Sequence, residues 1–368
     1  MLDALIVVSS DPRYDSRSSK YLSALLGAGL MARVIGISSD GTSETNGHLT
    51  RIPMTRRSGK GFFLQFYQRI IPEIMKTPAK IVIAGDLFSL PPAIIHKCRH
   101  SSRDLRVRLI YDSKELYEEL PSLKRKRSSF FFWTLVEKSS VRYVSHVITV
   151  NESIADILER NWRLPTTVIR NVPEAGTCPG LPKRSLDNVM LAFSGGLQEG
   201  RGLYNLIRLL TVLPPNYELS LLGDGPLRQE LEDLTASLRL SGRVHFLDRV
   251  KNEDVVDRLS SATIGIYLME NTGLCHYYAL PNKLFQFISA RLPVVVPTFP
   301  EMERIVATYD IGAAVDPTDI RSAASKVLYL TRSPEEYQRL VENCDKASKV
   351  LNWQVEKEKF LELIKKLI

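Results

Sequence analysis

The residues best suited to chemistry sit in three segments that combine glycine, cationic and amide side chains. Ser194-Gly195-Gly196-Leu197-Gln198-Glu199-Gly200-Arg201-Gly202 falls between a strand-like and a helix-like run. There glycines allow close backbone approach, and N–H groups with the helix dipole favour a phosphate. Arg201 adds a fixed positive charge. Glycine-rich strand-to-helix turns also occur for purely structural reasons. Gly223-Asp224-Gly225-Pro226 repeats the pattern after the next strand but lacks the third glycine of a dinucleotide fingerprint, and taken alone it reads as a tight turn.

The third segment, Tyr278-Ala279-Leu280-Pro281-Asn282-Lys283-Leu284-Phe285-Gln286, is the most informative. Pro281 suits a first helical position, and a helix from there puts Lys283 in the first turn, where a cation opposes the dipole unless an anion is nearby. Gln286 lies one helical step further on the same face. Lys283 could therefore pair with a diphosphate while Gln286 hydrogen-bonds a ribose. A solvated lysine and an exposed glutamine satisfy the same spacing.

The elements that must position these residues follow an α/β rhythm. Ala4–Val8, Arg33–Ile37, Lys80–Ala84, Val107–Tyr111 and His146–Val150 read as buried strands, with helices at Arg17–Leu26, Phe62–Met75, Pro92–Cys98, Phe130–Val141 and Ser153–Arg160 between them. Residues 173–188 carry Pro173, Gly176, Pro179, Gly180 and Pro182 without periodicity, as a linker does. Alternation then restarts, with strands at Val189–Ser194, Glu218–Leu222, Val244–Leu247, Thr263–Leu268, Pro293–Val296 and Ala313–Val315. The pattern predicts two Rossmann-like domains, 1–172 and 189–350, and an amphipathic helix over 351–368. Substrate is expected where strand C-termini face a cleft.

Composition sets the outer limits. With 368 residues, 44% of them apolar and 24% charged, the chain is an ordinary globular one. The longest apolar runs fall short of a membrane span and no signal peptide is recognisable, which predicts a cytoplasmic protein. Cys98, Cys178, Cys275 and Cys344 are far apart and predict neither disulfides nor zinc. His96 and His100 have helical spacing, but the surrounding cations favour a basic helix face over a metal site. The net charge of +8 is concentrated at the start: residues 1–175 hold 26 lysines and arginines against 17 acidic residues.

The glycine loop, Leu221-Leu222-Gly223-Asp224-Gly225-Pro226-Leu227 and the Leu280-Pro281-Asn282-Lys283 helix resemble, in order and spacing, the nucleotide-sugar half of retaining glycosyltransferases of family four, which have the GT-B fold. Ser10 to Arg17, Ile110 to Leu116, Val147 to Asn151 and Val168 to Pro173 look like the acceptor half of the same family. The resemblance implies transfer of a sugar from a nucleoside diphosphate sugar to an acceptor hydroxyl with retention, without metal or other cofactor. It implies that Arg201 and Lys283 hold the donor diphosphate and that Lys114 and Glu115 lie near the reacting sugar. It also places Gly195, Gly196, Gly223, Gly225, Tyr278, Leu280, Pro281, Asn282 and Gln286 around the donor, and Arg17 and Asp112 on the acceptor side. Gly196 stands where many members have arginine, Lys114 where they have histidine, and Gln286 and Tyr278 where they have glutamates.

Those departures keep a second reading open, a degenerate transferase that binds a nucleotide or glycan as a partner subunit. A GT-B epimerase is a third, though no carboxylate acid/base pair is recognisable for it. Partners follow from the first reading: a nucleotide sugar, and a glycan or lipid-linked acceptor in surface polysaccharide or glycolipid assembly. Arg56, Arg57 and Lys60 precede Phe62, Phe63, Phe66 and Tyr67, and Lys124-Arg125-Lys126-Arg127 precedes Phe130-Phe131-Phe132-Trp133. Cations beside exposed aromatics would suit the inner face of an anionic membrane, whereas aromatics in the core would leave only the cations solvated. No nucleic-acid recognition module is visible.

Overall fold

The computed structural model describes residues 1–56, 59–103, 105–119, 127–175 and 184–368. Arg57, Lys124, Arg125, Lys126, Cys178, Gly176, Pro179, Gly180 and Pro182 lie outside the described residues. The chain divides into two compact units, Met1–Arg170 with Glu356–Ile368, and Asn171–Val355.

The first unit is built on an eight-stranded sheet of β1 (Leu2–Val7), β2 (Ala32–Ser38), β3 (Glu44–Thr45), β4 (Leu49–Pro53), β5 (Ala79–Ala84), β6 (Arg108–Asp112), β7 (His146–Thr149) and β8 (Thr166–Val168). Its order is β3-β4-β2-β1-β5-β6-β7-β8, and only the β3–β4 pairing is antiparallel. Ala4 to Val7 have no exposed surface, as a central strand covered on both faces requires. Helices start where side chains satisfy their free N–H groups: Asp15 accepts from Arg17 N and Ser18 N ahead of Ser16–Gly27, and Asn151 from Ile154 N ahead of Glu152–Trp162. Phe360 stacks on Tyr21 with ring centroids 4.1 Å apart, and the Glu356 carboxylate accepts from Arg170 N at 2.9 Å, so the last thirteen residues are part of this unit's core.

Three short strands escape sequence patterning. β3, β4 and β8 are brief and polar, and β4 places Arg51 where alternation would put an aliphatic residue. Arg51 is fully buried because Asp11 accepts from its Nε at 3.0 Å and its Nη2 at 2.7 Å. Burial alone would raise the Asp11 carboxyl, yet the bonds from Arg51 and Ser39 lower it to about 2.

The histidines of the Leu90–His100 helix differ from the expected solvated basic face. His96 is buried with Nε2 2.8 Å from the Thr77 carbonyl oxygen, and His100 Nε2 is 3.1 Å from that of Met75. The aromatic segments divide between core and surface. Trp133 and Phe66 are buried, and Phe63 and Phe88 each meet the Trp133 ring at 4.7 Å. On the outer face of the Arg127–Ser140 helix, Phe131, Phe132 and Leu135 are 70%, 57% and 67% exposed, and Leu64 on the Lys60–Met75 helix is 62% exposed. Among the described residues no helix is long and apolar enough to cross a membrane.

The second unit carries a six-stranded sheet of β9 (Val189–Ser194), β10 (Tyr217–Leu222), β11 (Val244–Leu247), β12 (Ile264–Ile266), β13 (Val294–Pro297) and β14 (Gly312–Val315). Every pairing in it is parallel, in the order β11-β10-β9-β12-β13-β14. The direction of winding reverses between β9 and β12, and ligands of doubly wound sheets bind beyond the strand ends at such a reversal. Arg184 is anchored on this unit through the carbonyls of Ser260, Ala290 and Arg291.

A buried electrostatic constraint in the first unit is the pair Arg17–Asp112, with Nε–Oδ2 2.7 Å and Nη2–Oδ1 2.9 Å. Asp112→Ala leaves Arg17 charged and unpaired in the core. It should cost about 3–5 kcal/mol in urea denaturation, while replacement of an exposed surface carboxylate stays within about 0.5 kcal/mol.

Candidate functional site

The site grows from the C-terminal ends of β9 and β12. After β9 the chain enters the glycine loop, and Gly195 N donates to Leu222 O while Leu197 N donates to Asp224 O. This loop and the one after β10 interlock. A Cβ on Gly223 would collide with Gly195 O and one on Gly225 with Leu197 O, so both positions require glycine, and Gly223 also has a φ of 149°. The sequence alone makes Gly223–Pro226 a tight turn; in the fold it buttresses the loop that carries Gly195 and Gly196.

Arg201 ends the loop and donates from Nη1 to Tyr267 Oη at 2.9 Å. Lys283 comes to the same place from the Asn282–Ser289 helix. Pro281 is not the first helical residue but the extended cap before it, with ψ 146°, so Lys283 is the second helical residue and still lies in the first turn. Lys283 is 8% exposed, its Nζ 3.6 Å from the Phe193 ring centroid and 4.0 Å from that of Tyr267. A Cβ on Gly195 would lie 3.1 Å from Lys283 Nζ, so the loop backbone runs directly beside the ammonium. No carboxylate among the described residues forms an ion pair with Lys283. Burial, reinforced by the Arg201 charge, pushes the ammonium well below the ordinary lysine range.

Gln286 follows one turn later and is buried. Its Oε1 accepts from Ser194 Oγ at 3.3 Å and its Nε2 donates to Asn252 Oδ1 at 3.2 Å, which fixes the amide between β9 and the loop after β11. Tyr278 is half-buried, its ring 5.1 Å from that of Tyr277, and Leu280 is buried just before the helix. Asn282 opens the helix and Gly196 is exposed in the loop. His276 completes the local charge: burial and Arg201 lower its pKa, and its Nδ1 lies 2.7 Å from Thr272 Oγ1.

The other predicted residues belong to the first unit. Lys114 donates to Asp15 Oδ2 at 3.3 Å, and Asp15 also accepts from Ser10 Oγ at 3.0 Å. Burial would raise the Asp15 carboxyl, but Lys114 and these hydrogen bonds keep it below its usual value. Glu115 is exposed beside Lys114, and its carbonyl accepts from Ser113 Oγ. Arg17 and Asp112, expected on the acceptor side, are bonded to one another, and Arg17 Nη1 donates to Ile169 O at 2.9 Å. Both are buried, so their polar atoms are directed inward.

Sequence reasoning overlooked Phe193, Asn252 and Tyr267. The only signal for Tyr267 is its place just after a strand at the reversal point, and periodicity assigns such an aromatic to the core. Among the described residues no cluster of three or more histidine, cysteine or acidic side chains could hold a metal ion.

Fold and site together define a class. The chain superposes on HepE of Anabaena in complex with UDP-glucose with a TM-score of 0.72 and 14% identity, over 99% of each chain, and its fold is GT-B. Residues 182–347, which contain the whole Arg201–Lys283 arrangement, match the family model described as glycosyl transferases group 1. An uncharacterized glycosyltransferase of Methanocaldococcus jannaschii is 27% identical over 176 residues, 44% of this chain and 41% of that protein. A lipopolysaccharide core biosynthesis glycosyltransferase of Rhizobium meliloti, LpsD, is 34% identical over 96 residues, 25% of this chain and 28% of that one. The matched stretches thus span less than half the length of these curated relatives.

A buried lysine facing no carboxylate carries a stability cost. While the unfolded chain holds a proton that the folded lysine has lost, folding is penalised, so stability rises with pH up to about 10.4 and levels off above it. Lys283→Met should remove that slope and add about 0.5–2 kcal/mol near neutral pH, read by urea denaturation across a pH series.

Proposed function

We propose that the protein is a glycosyltransferase that moves a sugar from a nucleoside diphosphate sugar to an acceptor hydroxyl with retained anomeric configuration and without a metal ion. The observation that carries this reading is the pair of cations, Arg201 and Lys283, held at the reversal point of a doubly wound sheet with no carboxylate among the described residues paired to Lys283. A departing diphosphate supplies the missing charge. The bond from the anomeric carbon to the diphosphate oxygen breaks with its electron pair leaving on the diphosphate, a bond to the acceptor oxygen forms, and the acceptor hydroxyl's proton passes by way of a diphosphate oxygen to solvent. The added negative charge would be met by two fixed cations and by the first-turn N–H groups of the Asn282–Ser289 helix. Gln286 would bond the ribose by exchanging Ser194 or Asn252 for a sugar hydroxyl. Lys114, with Glu115 beside it, would serve the sugar from the acceptor half.

The family match at residues 182–347 and the UDP-glucose bound by HepE support this donor class. A lipid-linked acceptor in surface polysaccharide or glycolipid assembly is supported by the lipopolysaccharide role in the name of LpsD and by the apolar face of Phe131, Phe132, Leu135 and Leu64. The exposed cations Lys60, Arg127 and Lys138 lie on the same two helices, a combination suited to an anionic lipid surface at the inner side of a membrane.

The test is donor turnover with UDP-, GDP- and ADP-sugars, with the product anomer assigned by NMR. Turnover should survive EDTA, and Arg201→Ala should lower kcat/KM by about a hundredfold or more. Inversion or chelator sensitivity would refute the retaining, metal-free chemistry. An inactive wild type revived by Gln286→Glu would make the chain a degenerate binding subunit. For the acceptor side, Phe131→Asp with Phe132→Asp should reduce co-sedimentation with phosphatidylglycerol vesicles about tenfold or more, since burying one phenylalanine is worth about 1.5–3 kcal/mol.

A further inference from the structure

Arg201 and Lys283 meet at one side chain. Tyr267 is 1% exposed just beyond β12. Its Oη accepts from Arg201 Nη1 at 2.9 Å and donates to Met269 Sδ at 2.8 Å, while its ring centroid lies 4.0 Å from Lys283 Nζ. We infer that Tyr267 is the positioning residue of the diphosphate site: its hydroxyl aims Arg201, and its ring holds the Lys283 side chain in place of a carboxylate, so that both basic groups stay open to an incoming anion. This inference rests on the nucleotide-sugar reading above.

A phenol has one proton. Directed at Met269, it leaves the oxygen lone pairs to accept from Arg201, which fixes the direction of that bond. The ring acts differently. A carboxylate beside Lys283 would neutralise the ammonium and compete with an incoming anion, whereas an aromatic face attracts a cation and leaves its N–H donors to a ligand. Phe193 supplies the second face at 3.6 Å, so the lysine is clamped by two rings.

The groups facing Lys283 decide whether it carries a proton. Phe193 comes from β9, Gly195 and Arg201 from the glycine loop and Tyr267 from beyond β12, with Gln286 one turn further on its own helix bonded to Ser194, and His276 and Glu270 bordering Arg201. Burial pushes the Tyr267 phenol up, so it stays neutral and adds no negative charge. Burial of the ammonium and the Arg201 charge both favour neutral Lys283 in the free protein. A bound diphosphate reverses that balance. Affinity must therefore fall as pH rises from the free-state pKa of Lys283 toward the higher value it has with the anion bound.

The experiment is isothermal titration of the full chain with UDP, GDP and ADP above about pH 7, where the terminal phosphate is fully ionised, in buffers of different protonation enthalpy. Wild type should take up a proton on binding, and Lys283→Met should not. Tyr267→Phe keeps the ring and loses the bond to Arg201, so affinity should drop about tenfold or more with the pH slope retained. Tyr267→Leu opens Lys283 to water, so affinity should drop and the slope flatten; a merely structural tyrosine would lower affinity without changing the slope. Wild-type affinity in Tyr267→Phe, or binding without proton uptake, overturns the inference and leaves the nucleotide-sugar reading standing. Failure of all three nucleotides to bind wild type overturns that reading as well. Circular dichroism checks folding, and if Tyr267→Leu does not fold, Tyr267→Phe and the wild-type proton count decide.

Discussion

The second unit is organised around Arg201 and Lys283, two basic side chains brought together at Tyr267 with no carboxylate among the described residues paired to Lys283. Lys283 is buried between Phe193 and Tyr267, close enough to Arg201 for the two charges to disfavour one another. Such an arrangement is unfavourable in isolation, because the lysine must either keep a desolvated charge or give up its proton. The fold tolerates it because the surrounding backbone is over-determined. The two glycine loops interlock at Gly195 and Gly223, the strand ends are fixed by a six-stranded parallel sheet, and Gln286 ties the helix to Ser194 and Asn252.

The first unit handles buried charge in the opposite way. Arg51 meets Asp11, and Arg17 meets Asp112, each through two hydrogen bonds to one carboxylate. These pairs are closed, with geometry good enough to compensate desolvation, and they lock the loop after β1 and the end of β6. Arg17 and Asp112 thereby hold in place the stretches that carry Asp15 and Lys114, and Lys114, half-buried with one ion pair to Asp15, is less enclosed than Arg17 or Arg51. Paired charges fix position; the unpaired ones are left to meet a ligand.

Much of this was legible in the sequence, for reasons that differ from element to element. β9 coincides residue for residue with the run Val189–Ser194, because a buried parallel strand is a continuous apolar segment bounded by turn residues, and the half-buried edge strand β11 coincides with Val244–Leu247. Lys283 was found because a cation in a first helical turn is a local conflict, and conflicts mark function. Pro281 was displaced by one position, since proline suits an extended cap as well as a first helical residue. β3, β4 and β8 were missed because brief, partly polar strands at or next to the sheet edges lack alternation, and Arg51 because a charge inside a strand makes sense only once Asp11, forty residues earlier, is brought to it. Tyr267 was illegible for the same reason: its role is defined by Arg201 and Lys283, which come from separate turns of the chain.

That dependence bears on the departures from the family pattern. An ionised glutamate at position 286 would place a negative charge one helical turn from Lys283 and compete there with the anion proposed for the site. The neutral amide of Gln286 gives up a charge-assisted bond to a ribose, but it leaves the field of Arg201 and Lys283 undiminished and keeps the Asn282–Ser289 helix anchored at both ends of its amide. In a site where leaving-group charge would be met by two side chains and no metal ion, weaker ribose contact and stronger diphosphate contact are a physically coherent exchange. The substitution by itself is thus no argument for a defunct enzyme.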